Sequence, residues 1–557
     1  MLFRKGLLDA KQLEQARAAQ SEGLRLDQAA VQLGFLSEET ALRALANEVG
    51  LEFVDLVDAE IDLSLLKDFP SRFVHRESLF PIRRNNGHLV VATSDPFNLY
   101  PLDELSAATG LTVVPVLASR DEIAKRIKHH LGVGSETIDG LLAATDDRIE
   151  LDQPIDDDAE LSEMAEEPSV VRLVNEILLE AIDLRASDVH IESQHSGLRV
   201  RYRIDGVLHL QPMPPEINRF QAAIISRLKI MSRLNIAERR LPQDGRIQLR
   251  TGGREVDIRV SVIPMIHGEG IVLRLLDKGA MEFKLGKLGM EPDLYAKFRE
   301  LIQLPHGIIL VTGPTGSGKS TTLYSSLLEI KSDETKIITT EDPVEYQLDG
   351  INQIQVHPKI GLTFGTSLRS ILRHDPDIIL VGEIRDLETA ENAIQASLTG
   401  HLVFSTLHTN DAAGAYTRLV DMGLEPFLVS STVEAVMAQR LVRTLCKHCK
   451  QPYHPADDEL PADFPRDGLG GNPLYRAVGC RECRQVGYRG RVGLYELLVT
   501  TEEIRNLSHE RVSSWAIQQA AVHGGMRTLR DDGWVKVLDG RTTVDEVLRV
   551  TKGKTET

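Results

Sequence analysis

The segment GPTGSGKSTT at residues 313–322 constrains this 557-residue chain more than any other stretch. Its spacing, G-x-x-x-x-G-K-S, is met by Gly313, Gly318, Lys319 and Ser320. Glycines let backbone N–H groups converge on phosphate oxygens, and the start of the following helix adds a favourable dipole. An apolar run precedes the loop and a helical pattern follows it. The segment therefore predicts a strand, a phosphate-binding loop and a helix that together hold a nucleotide.

Within this loop the chemistry assigns two roles directly. Lys319 is expected to reach the β- and γ-phosphates, and the hydroxyl of Ser320 is expected to bind Mg²⁺. A nucleoside triphosphate and Mg²⁺ are therefore the predicted substrate and cofactor. The predicted nucleotide-binding residues of the loop form one continuous run: Gly313, Pro314, Thr315, Gly316, Ser317, Gly318, Lys319, Ser320 and Thr321.

Acidic residues and histidines follow the next apolar runs. DIILVGEIRD places Glu383 at the tip of a strand expected beside the phosphate loop, and TTEDPVEY supplies Glu341 and Glu345 to polarise an attacking water. An acidic loop alone is usually only solvated, but its place between two nucleotide-binding segments favours catalysis. His401 and His408 flank a further strand in TGHLVFSTLHTND. Single histidines are more often core or surface residues, whereas two beside the other elements predict a γ-phosphate sensor.

Composition and charge exclude some classes of function. The formal net charge is −18, which argues against a nucleic-acid binder because such proteins carry a basic face. No apolar run approaches the roughly 18 residues needed to cross a bilayer. The chain is therefore expected to be cytoplasmic, and any place at a membrane must come through partners.

The chain divides into segments of different character. Residues 1–135 predict a helical and mixed domain in which two offset copies each place a capping residue, Asp9 or Ser37, before an amphipathic helix. Packing of this repeat on itself and docking to a partner both remain open. Residues 136–167 hold thirteen acidic residues and one arginine, which predicts a flexible linker.

The segment 168–285 predicts a second α/β domain. It begins with apolar residues at helical spacing. Strands that alternate apolar and polar residues follow, with a hairpin turn at Asp205-Gly206. Arg246, Arg259 and Arg274 fall on or beside these strands. Strand arginines are usually solvated, but several next to a nucleotide-binding domain could neutralise phosphate charge.

The four cysteines of the chain form two C-x-x-C pairs, CKHC and CREC. Two such pairs about 30 residues apart fit a closed, tetrahedral and therefore structural Zn²⁺ site. Two independent redox pairs are the alternative, and they would need thiols of low pKa. The predicted zinc ligands are Cys446, Cys449, Cys480 and Cys483.

These motifs together resemble the secretion ATPases that power type II secretion and type IV pilus assembly. The phosphate loop, EDPVE, LRSILRHDPDIILVGEIRDLETA and SLTGHLVFSTLHTNDAAGA carry the resemblance, most strongly over residues 168–500. GIVLRLLDK and DMGLEPFLVSSTVEAVMAQRLVRTLC look most like the type II secretion assembly ATPase. The resemblance implies an α/β fold with a RecA-like ATPase domain over 286–557, preceded by a PAS-like α/β domain. The ATPase domain would include a zinc insertion at 440–490 and a helical tail at 500–557.

The resemblance also implies roles for individual residues. Glu345 would be the general base with Glu341 second, and Glu383 would hold the metal through water. The other implied site residues are the histidine box of His401 and His408, the γ-phosphate arginines Arg259 and Arg274, and a further pair near the site or subunit interface, Arg369 and Arg373.

For function, the resemblance implies a ring-shaped homo-hexamer that assembles a pseudopilus for type II secretion. Its partners would be inner-membrane platform proteins, namely a membrane-anchored adaptor and a polytopic component. A type IV pilus extension ATPase is the alternative, and a nucleotide-gated scaffold or a nucleic-acid translocase would be a different class. Related N-terminal domains bind cyclic di-GMP through Arg-Leu-Gly, but here the motif reads Arg25-Leu26-Asp27, which favours protein docking.

Overall fold

The computed structural model describes residues 2, 5–20, 25–57, 59–67, 69, 73–74, 77–85, 87–131, 137, 164–277, 279 and 282–551. It contains two compact units, Met1–Asp277 and Lys278–Thr557. Most of the predicted linker 136–167 lies outside the described residues. Neither unit contains, within its described part, a helix with both the length and the apolar character of a membrane span.

The first unit contains the following helices and strands: α1 (Ala10–Ala18), α2 (Leu26–Gln32), α3 (Glu38–Val49), β1 (Phe80–Asn85), β2 (His88–Thr93), α4 (Tyr100–Thr109), β3 (Thr112–Leu117), α5 (Arg120–Leu131), α6 (Pro168–Asp183), β4 (Asp188–Gln194), β5 (Gly197–Ile204), β6 (Val207–Leu210), α7 (Gln221–Met231), β7 (Gln243–Thr251), β8 (Arg254–Met265) and β9 (Gly268–Asp277).

The second unit contains these: α8 (Pro292–Leu301), β10 (Gly307–Thr312), α9 (Lys319–Ile330), β11 (Ile337–Glu341), β12 (Asn352–Gln355), α10 (Phe364–Ile371), β13 (Ile378–Val381), α11 (Leu387–Leu398), β14 (Leu402–Leu407), α12 (Ala413–Asp421), α13 (Pro426–Thr432), β15 (Val433–Leu445), β16 (Gln451–Tyr453), β17 (Leu474–Arg476), β18 (Tyr488–Val499), α14 (Glu502–His509), α15 (Ser514–His523), α16 (Leu529–Leu538) and α17 (Val544–Val550).

The N-terminal helices begin where the sequence places their caps. Asp9 accepts a hydrogen bond from the backbone N–H of Gln12, and Ser37 accepts one from Thr40. The segment RNNGHLVVA predicts a hairpin, which is confirmed because β1 and β2 are antiparallel; β3 then pairs parallel to β2. The apolar segment FVDL at residues 53–56 predicts a strand, which is wrong. Phe53 forms only an isolated parallel bridge to Leu117 at the end of β3.

The rest of the first unit is a six-stranded antiparallel sheet in the order β6-β5-β4-β9-β8-β7. Strand β8 alternates buried and half-exposed residues, as one covered and one open face require. The buried face packs against α6 and α7. The turn predicted at Asp205-Gly206 is confirmed, because both residues have positive φ and β5 pairs antiparallel with β6.

The second unit is built on a seven-stranded sheet in the order β12-β11-β13-β14-β10-β15-β18. All adjacent pairs are parallel except β15 with β18. Strands β10, β13 and β14 are buried along their whole length, because hydrophobic clusters cover both faces. Helices α14 to α16 of the tail contribute Ile504, Ile517 and Leu529 to one of these clusters, so the tail packs on this core.

Helix α16 carries a buried charge pair. The Nζ of Lys536 lies 2.5 Å from Oδ2 of Asp532 and 3.4 Å from Oε1 of Glu291, and the Lys536 and Asp532 side chains are both 0% exposed. Burial raises the pKa of the Asp532 carboxyl, while Lys536 opposes that rise. The carboxylate is therefore tolerated in the core because the lysine compensates it.

We expect Lys536→Met to lower the free energy of unfolding of the second unit by about 3 kcal/mol, since it leaves Asp532 buried without its partner. Both tryptophans of the chain, Trp515 and Trp534, lie in this unit, so denaturant unfolding followed by tryptophan fluorescence reports on it. Lys287→Met is the control, because its ion pair with Glu282 is exposed and should cost below about 0.5 kcal/mol. An equal effect of both variants would contradict the prediction.

Candidate nucleotide site

The candidate site lies at one edge of the seven-stranded sheet. Since β10, β11, β13 and β14 are parallel, their carboxyl ends meet at the same edge. The phosphate loop follows β10, Glu383 follows β13, His408 follows β14, and Glu341 ends β11. One correction concerns the order of the strands. Strand β14 separates β13 from β10, so the strand that carries Glu383 is not beside the phosphate loop.

The glycines of the phosphate loop are required by geometry. Gly313 has φ +148°, and a Cβ there would lie 2.5 Å from the carbonyl oxygen of Gln439. Gly318 has φ +90° and a similar clash with the Gln439 side chain, at 2.8 Å. Gly318 also starts α9 without a side-chain cap among the described residues, so N–H groups of the first turn are available to an anion.

Two observations fit the loop to a phosphate group. The hydroxyl of Ser317 is buried, and it has no hydrogen-bond partner in the described part of the chain. The Nζ of Lys319 donates to the carbonyl oxygens of Gly313 at 2.7 Å and Pro314 at 3.2 Å. The amine therefore lies folded back over the loop, where phosphate oxygens would replace the carbonyl groups.

The charge on Lys319 depends on its neighbours. Burial lowers its pKa to about 8, Glu383 opposes this, and Arg440 adds to it. A bound polyphosphate would stabilise the charged amine and raise this pKa. An anion bound at the loop would therefore keep the amine charged over a wider pH range.

The carboxylate of Glu383 joins two basic side chains at this edge. Its Oε1 lies 2.6 Å from Nη2 of Arg385, and its Oε2 lies 3.3 Å from Nε2 of His408. The Glu383 side chain is 13% exposed, whereas His408 is 51% exposed. The structure therefore brings together three of the predicted residues: Lys319, Glu383 and His408.

The two candidate bases, Glu341 and Glu345, differ in their surroundings. The Glu341 carboxylate is buried, and it accepts hydrogen bonds from the hydroxyl of Tyr324, from Thr339 at 2.5 Å and from Gln353 at 3.1 Å. Glu345 is half-buried on the following loop, and its backbone N–H donates to the Tyr324 hydroxyl at 3.4 Å. Glu341 is thus committed to internal contacts that hold the loop bearing Glu345.

His401 does not share this edge with the other predicted residues. It precedes β14 at the opposite end of the sheet, where its Nδ1 lies 2.8 Å from the carbonyl oxygen of Ala396 and 3.1 Å from Thr399. Seven residues of extended chain place it roughly 23 Å from His408. Within one protomer the two histidines of the predicted box are therefore separate.

Arg369 and Arg373 lie at the end of α10. Arg369 pairs with Glu388 in the first turn of α11. Arg373 donates to the carbonyl oxygen of Arg369 at 2.8 Å and to the hydroxyl of Ser370 at 3.4 Å. Both guanidinium groups thus make these contacts with α10 and α11.

Sequence reasoning missed Arg440, which β15 places next to the phosphate loop. Its Nη1 lies 3.0 Å from where a Cβ on Gly313 would be, and its Nη2 donates to the carbonyl oxygen of Asn410 at 2.8 Å. Thr312, the last residue of β10, contacts the same segment as Arg440, because its hydroxyl lies 2.7 Å from that of Thr409. Arg440 reaches the loop because β15 pairs parallel with β10, and no local sequence motif indicates that pairing.

The predicted γ-phosphate arginines belong to the first unit. Arg246, Arg259 and Arg274 are register partners on β7, β8 and β9, so they form one row across the sheet. Asp188 on β4 continues the row, and its Oδ1 accepts from Nε of Arg274 at 3.0 Å. The row carries an excess of positive charge on the face opposite the helices.

The four cysteines converge on one point of the second unit. Their Sγ atoms all lie within 4.8 Å of one another, with nearest pairs at 3.6 to 3.7 Å. Zinc–sulfur bonds of about 2.3 Å in a tetrahedron would place the sulfurs roughly 3.8 Å apart. The Sγ of Cys483 also accepts from the N–H groups of Cys480 and Gly487, as a thiolate would. The donor set fits Zn²⁺.

Two family models match this chain. The model described as "Type II/IV secretion system protein" matches residues 163–549, and the MshEN domain model matches residues 49–137. The chain is 45% identical over 565 residues to a type II secretion system protein E of Xanthomonas campestris, covering 99% of this chain and 97% of that protein. A type II secretion system protein E of Pseudomonas aeruginosa is 54% identical over 393 residues, or 71% and 78% of the two chains.

A further relative carries a different name. The type IV pilus assembly ATPase PilB of Myxococcus xanthus is 42% identical over 553 residues, covering 98% of this chain and 97% of that protein. Among solved structures, the ATPase DotB of Legionella pneumophila superposes with a TM-score of 0.51 at 24% identity, over 68% of this chain and 94% of that chain, which supports the fold alone. The resemblance and the α/β fold class expected from the sequence are confirmed, and the chain belongs to the type II/IV secretion system protein family.

Proposed function

We propose that this chain is an ATP-hydrolysing motor, ATP + H₂O to ADP + phosphate, that assembles a pseudopilus for type II protein secretion. The observation that carries the proposal is the cluster at the sheet edge, where Lys319, Glu383 and His408 meet beside a phosphate loop in a chain of this family. A positive amine, a carboxylate and an imidazole are the groups that phosphoryl transfer needs at a γ-phosphate.

Each side chain of the edge then has a defined task. Lys319 leaves the loop carbonyl groups and binds phosphate oxygens. Ser320 and Glu383 would hold Mg²⁺, which when bound would neutralise charge on the β- and γ-phosphates. Glu345 accepts the proton of the attacking water, while Glu341 fixes the loop that carries it. His408 senses the γ-phosphate through its contact with Glu383.

The arginine row of the first unit would complete the site. Arg259 and Arg274 bring positive charge that the γ-phosphate attracts, so ATP favours a closed arrangement and hydrolysis releases it. In a homo-hexamer such closure displaces the neighbouring protomer. On this proposal His401, which lies at the other end of β14, acts at the interface between protomers, and Arg369 and Arg373 act near the site or at that interface.

Two relatives bear on what the motor assembles. Type II secretion proteins E match the chain at up to 54% identity, whereas the full-length match to a type IV pilus assembly ATPase keeps pilus extension as the second candidate. For either task we propose a cytoplasmic ring at the inner membrane. It would be held there by a membrane-anchored adaptor and a polytopic platform protein, without nucleic acid as a partner.

We also propose that the four cysteines hold one structural Zn²⁺ per protomer. Cys446 and Cys449 follow β15, and Cys480 and Cys483 precede β18, so one ion would fasten both ends of the intervening segment to the sheet. With four thiolates the coordination is closed, and the ion has no free position for catalysis.

Lys319→Ala should abolish ATP hydrolysis, because the amine that binds the β- and γ-phosphates is gone. Phosphate release should fall by about 100-fold or more. Lys297→Ala, an exposed lysine on α8, is the control and should keep the wild-type rate. In a strain that lacks its own copy of the gene, the Lys319→Ala variant should also stop export of secreted proteins, whereas loss of surface pili alone would favour the pilus candidate. Normal hydrolysis and export by this variant would refute the proposal.

Glu383→Gln separates a motor from a nucleotide-gated scaffold. The amide keeps the shape but loses the charge that acts on Lys319 and the metal, so hydrolysis should drop by about 100-fold. Binding of a fluorescent ATP analogue should change only a few-fold. Glu391→Gln on the exposed side of α11 serves as the control. A negligible wild-type rate that this substitution does not lower would instead favour the scaffold.

Elemental analysis should find about one zinc per chain. Cys480→Ser should lose the metal and lower the melting temperature of the second unit, because metal binding stabilises the folded state. His448→Gln changes a neighbouring residue outside the cysteine cluster and should keep the metal. Zinc retained by the serine variant, or absent from the wild type, would overturn this assignment.

A further inference from the structure

Glu496 on β18 is a buried carboxylate that joins two distant segments. Only 2% of the residue is accessible to solvent. Oε1 accepts a hydrogen bond from the backbone N–H of Ala412 at 2.8 Å, and Oε2 accepts one from Leu529 at 3.2 Å. Each oxygen thus serves a different segment of the chain.

The first of these segments is the loop 408–412, which we call the sensor loop. It begins at His408, whose ring meets Glu383, and it ends at Ala412 on Glu496. Between these points Thr409 is bound to Thr312, and the carbonyl oxygen of Asn410 accepts from Arg440. The sensor loop is therefore held at the phosphate edge at one end and by Glu496 at the other.

The second segment is helix α16. Leu529 is its first residue, so its N–H is one of the helix donors that has no partner within the helix. The neighbouring residue of β18, Tyr495, donates its N–H to Asp532 on the same helix at 2.9 Å. Two successive residues of β18 thus fix the start of α16.

Helix α16 in turn packs against the segment between the cysteine pairs, residues 450–479, which we call the cysteine lobe. Trp534 meets Phe464 edge to face, with ring centroids 5.2 Å apart. Arg530 pairs with Asp463 at 2.5 Å between Nε and Oδ2. The lobe therefore rests on the helix whose first N–H group binds Glu496.

We propose that Glu496 is a positioning residue that couples the nucleotide state of the sensor loop to α16 and the cysteine lobe. This inference rests on the proposed ATPase function. A change at His408 on loss of the γ-phosphate moves the sensor loop, and the shared carboxylate passes that movement to the start of α16. The position of the cysteine lobe then changes once per hydrolysis cycle.

The chemistry of Glu496 supports a link rather than simple core filling. Burial raises the pKa of this carboxyl to about 7, and the N–H groups of Ala412 and Leu529 oppose the rise. Asp411 adds to it and Arg440 counters it. An apolar residue would fill the same space without that cost, but it could not accept from two backbone donors at once.

The test compares Glu496→Gln with Glu546→Gln in the full-length chain. The amide introduced by Glu496→Gln keeps one acceptor oxygen and presents a donor to the other N–H, so one of the two segments is released. Glu546 is a matched control, because it is equally buried and accepts from the N–H of Arg443, yet it contacts α17 and β15 rather than the sensor loop. Phosphate release, KM for ATP and melting temperature are measured for both.

We expect Glu496→Gln to lower kcat about fivefold or more, with KM for ATP within twofold. Glu546→Gln should keep the wild-type kcat, although we expect it to lower the melting temperature by about as much as Glu496→Gln does. Equal kcat in both variants at equal stability would overturn the coupling. A wild-type chain without hydrolysis would instead refute the proposed function, so the two failures are distinct.

Hydrogen exchange gives a second, independent readout. In the wild type and in Glu546→Gln, a non-hydrolysable ATP analogue should slow amide exchange both in the sensor loop and in residues 526–538. In Glu496→Gln the analogue should still protect the phosphate loop, but protection of 526–538 should be lost. Protection of that helix in Glu496→Gln at the wild-type level would overturn the proposal, even if the variant is less stable.

Discussion

The parallel alignment of β10, β11, β13 and β14 is the constraint on which the nucleotide site depends. Each strand ends at the same edge and delivers one functional element there. Lys319, Glu383 and His408 are far apart in sequence, so they form one site only because the pairing of these strands brings them together. Apolar residues on both faces of the sheet fix that pairing, so the core and the site have the same origin.

Buried carboxylates connect this edge of the sheet to other segments of the second unit. Glu341 binds Tyr324, Thr339 and Gln353, and Glu496 binds Ala412 and Leu529. Each sits in a low-dielectric core, where a charged group is stable only when donors surround it. Such groups therefore tie together the particular segments that supply the donors, which a hydrophobic contact of the same size would not do.

The sequence predicted the phosphate loop, the helix caps at Asp9 and Ser37, and the turn at Asp205-Gly206, because each depends on residues that are neighbours in the chain. It did not predict that β14 lies between β13 and β10, nor that His401 lies at the opposite edge from His408. The separation of the two histidines follows from the length of β14, the extended strand that lies between them, whereas the order of strands is decided by long-range packing. Arg440 and Glu496 escaped notice for the same reason, since their partners lie 30 to 84 residues away.

The arginine row of the first unit is an electrostatic feature to which the proposed mechanism assigns the recognition of a γ-phosphate. Asp188 offers one carboxylate to a row that also contains Arg246, Arg259 and Arg274, so the row itself holds more positive than negative charge. A γ-phosphate adds negative charge at a fixed point, whereas its loss as free phosphate removes that charge from the site. On the proposed mechanism, the negative charge available to Arg259 and Arg274 therefore changes with one chemical step.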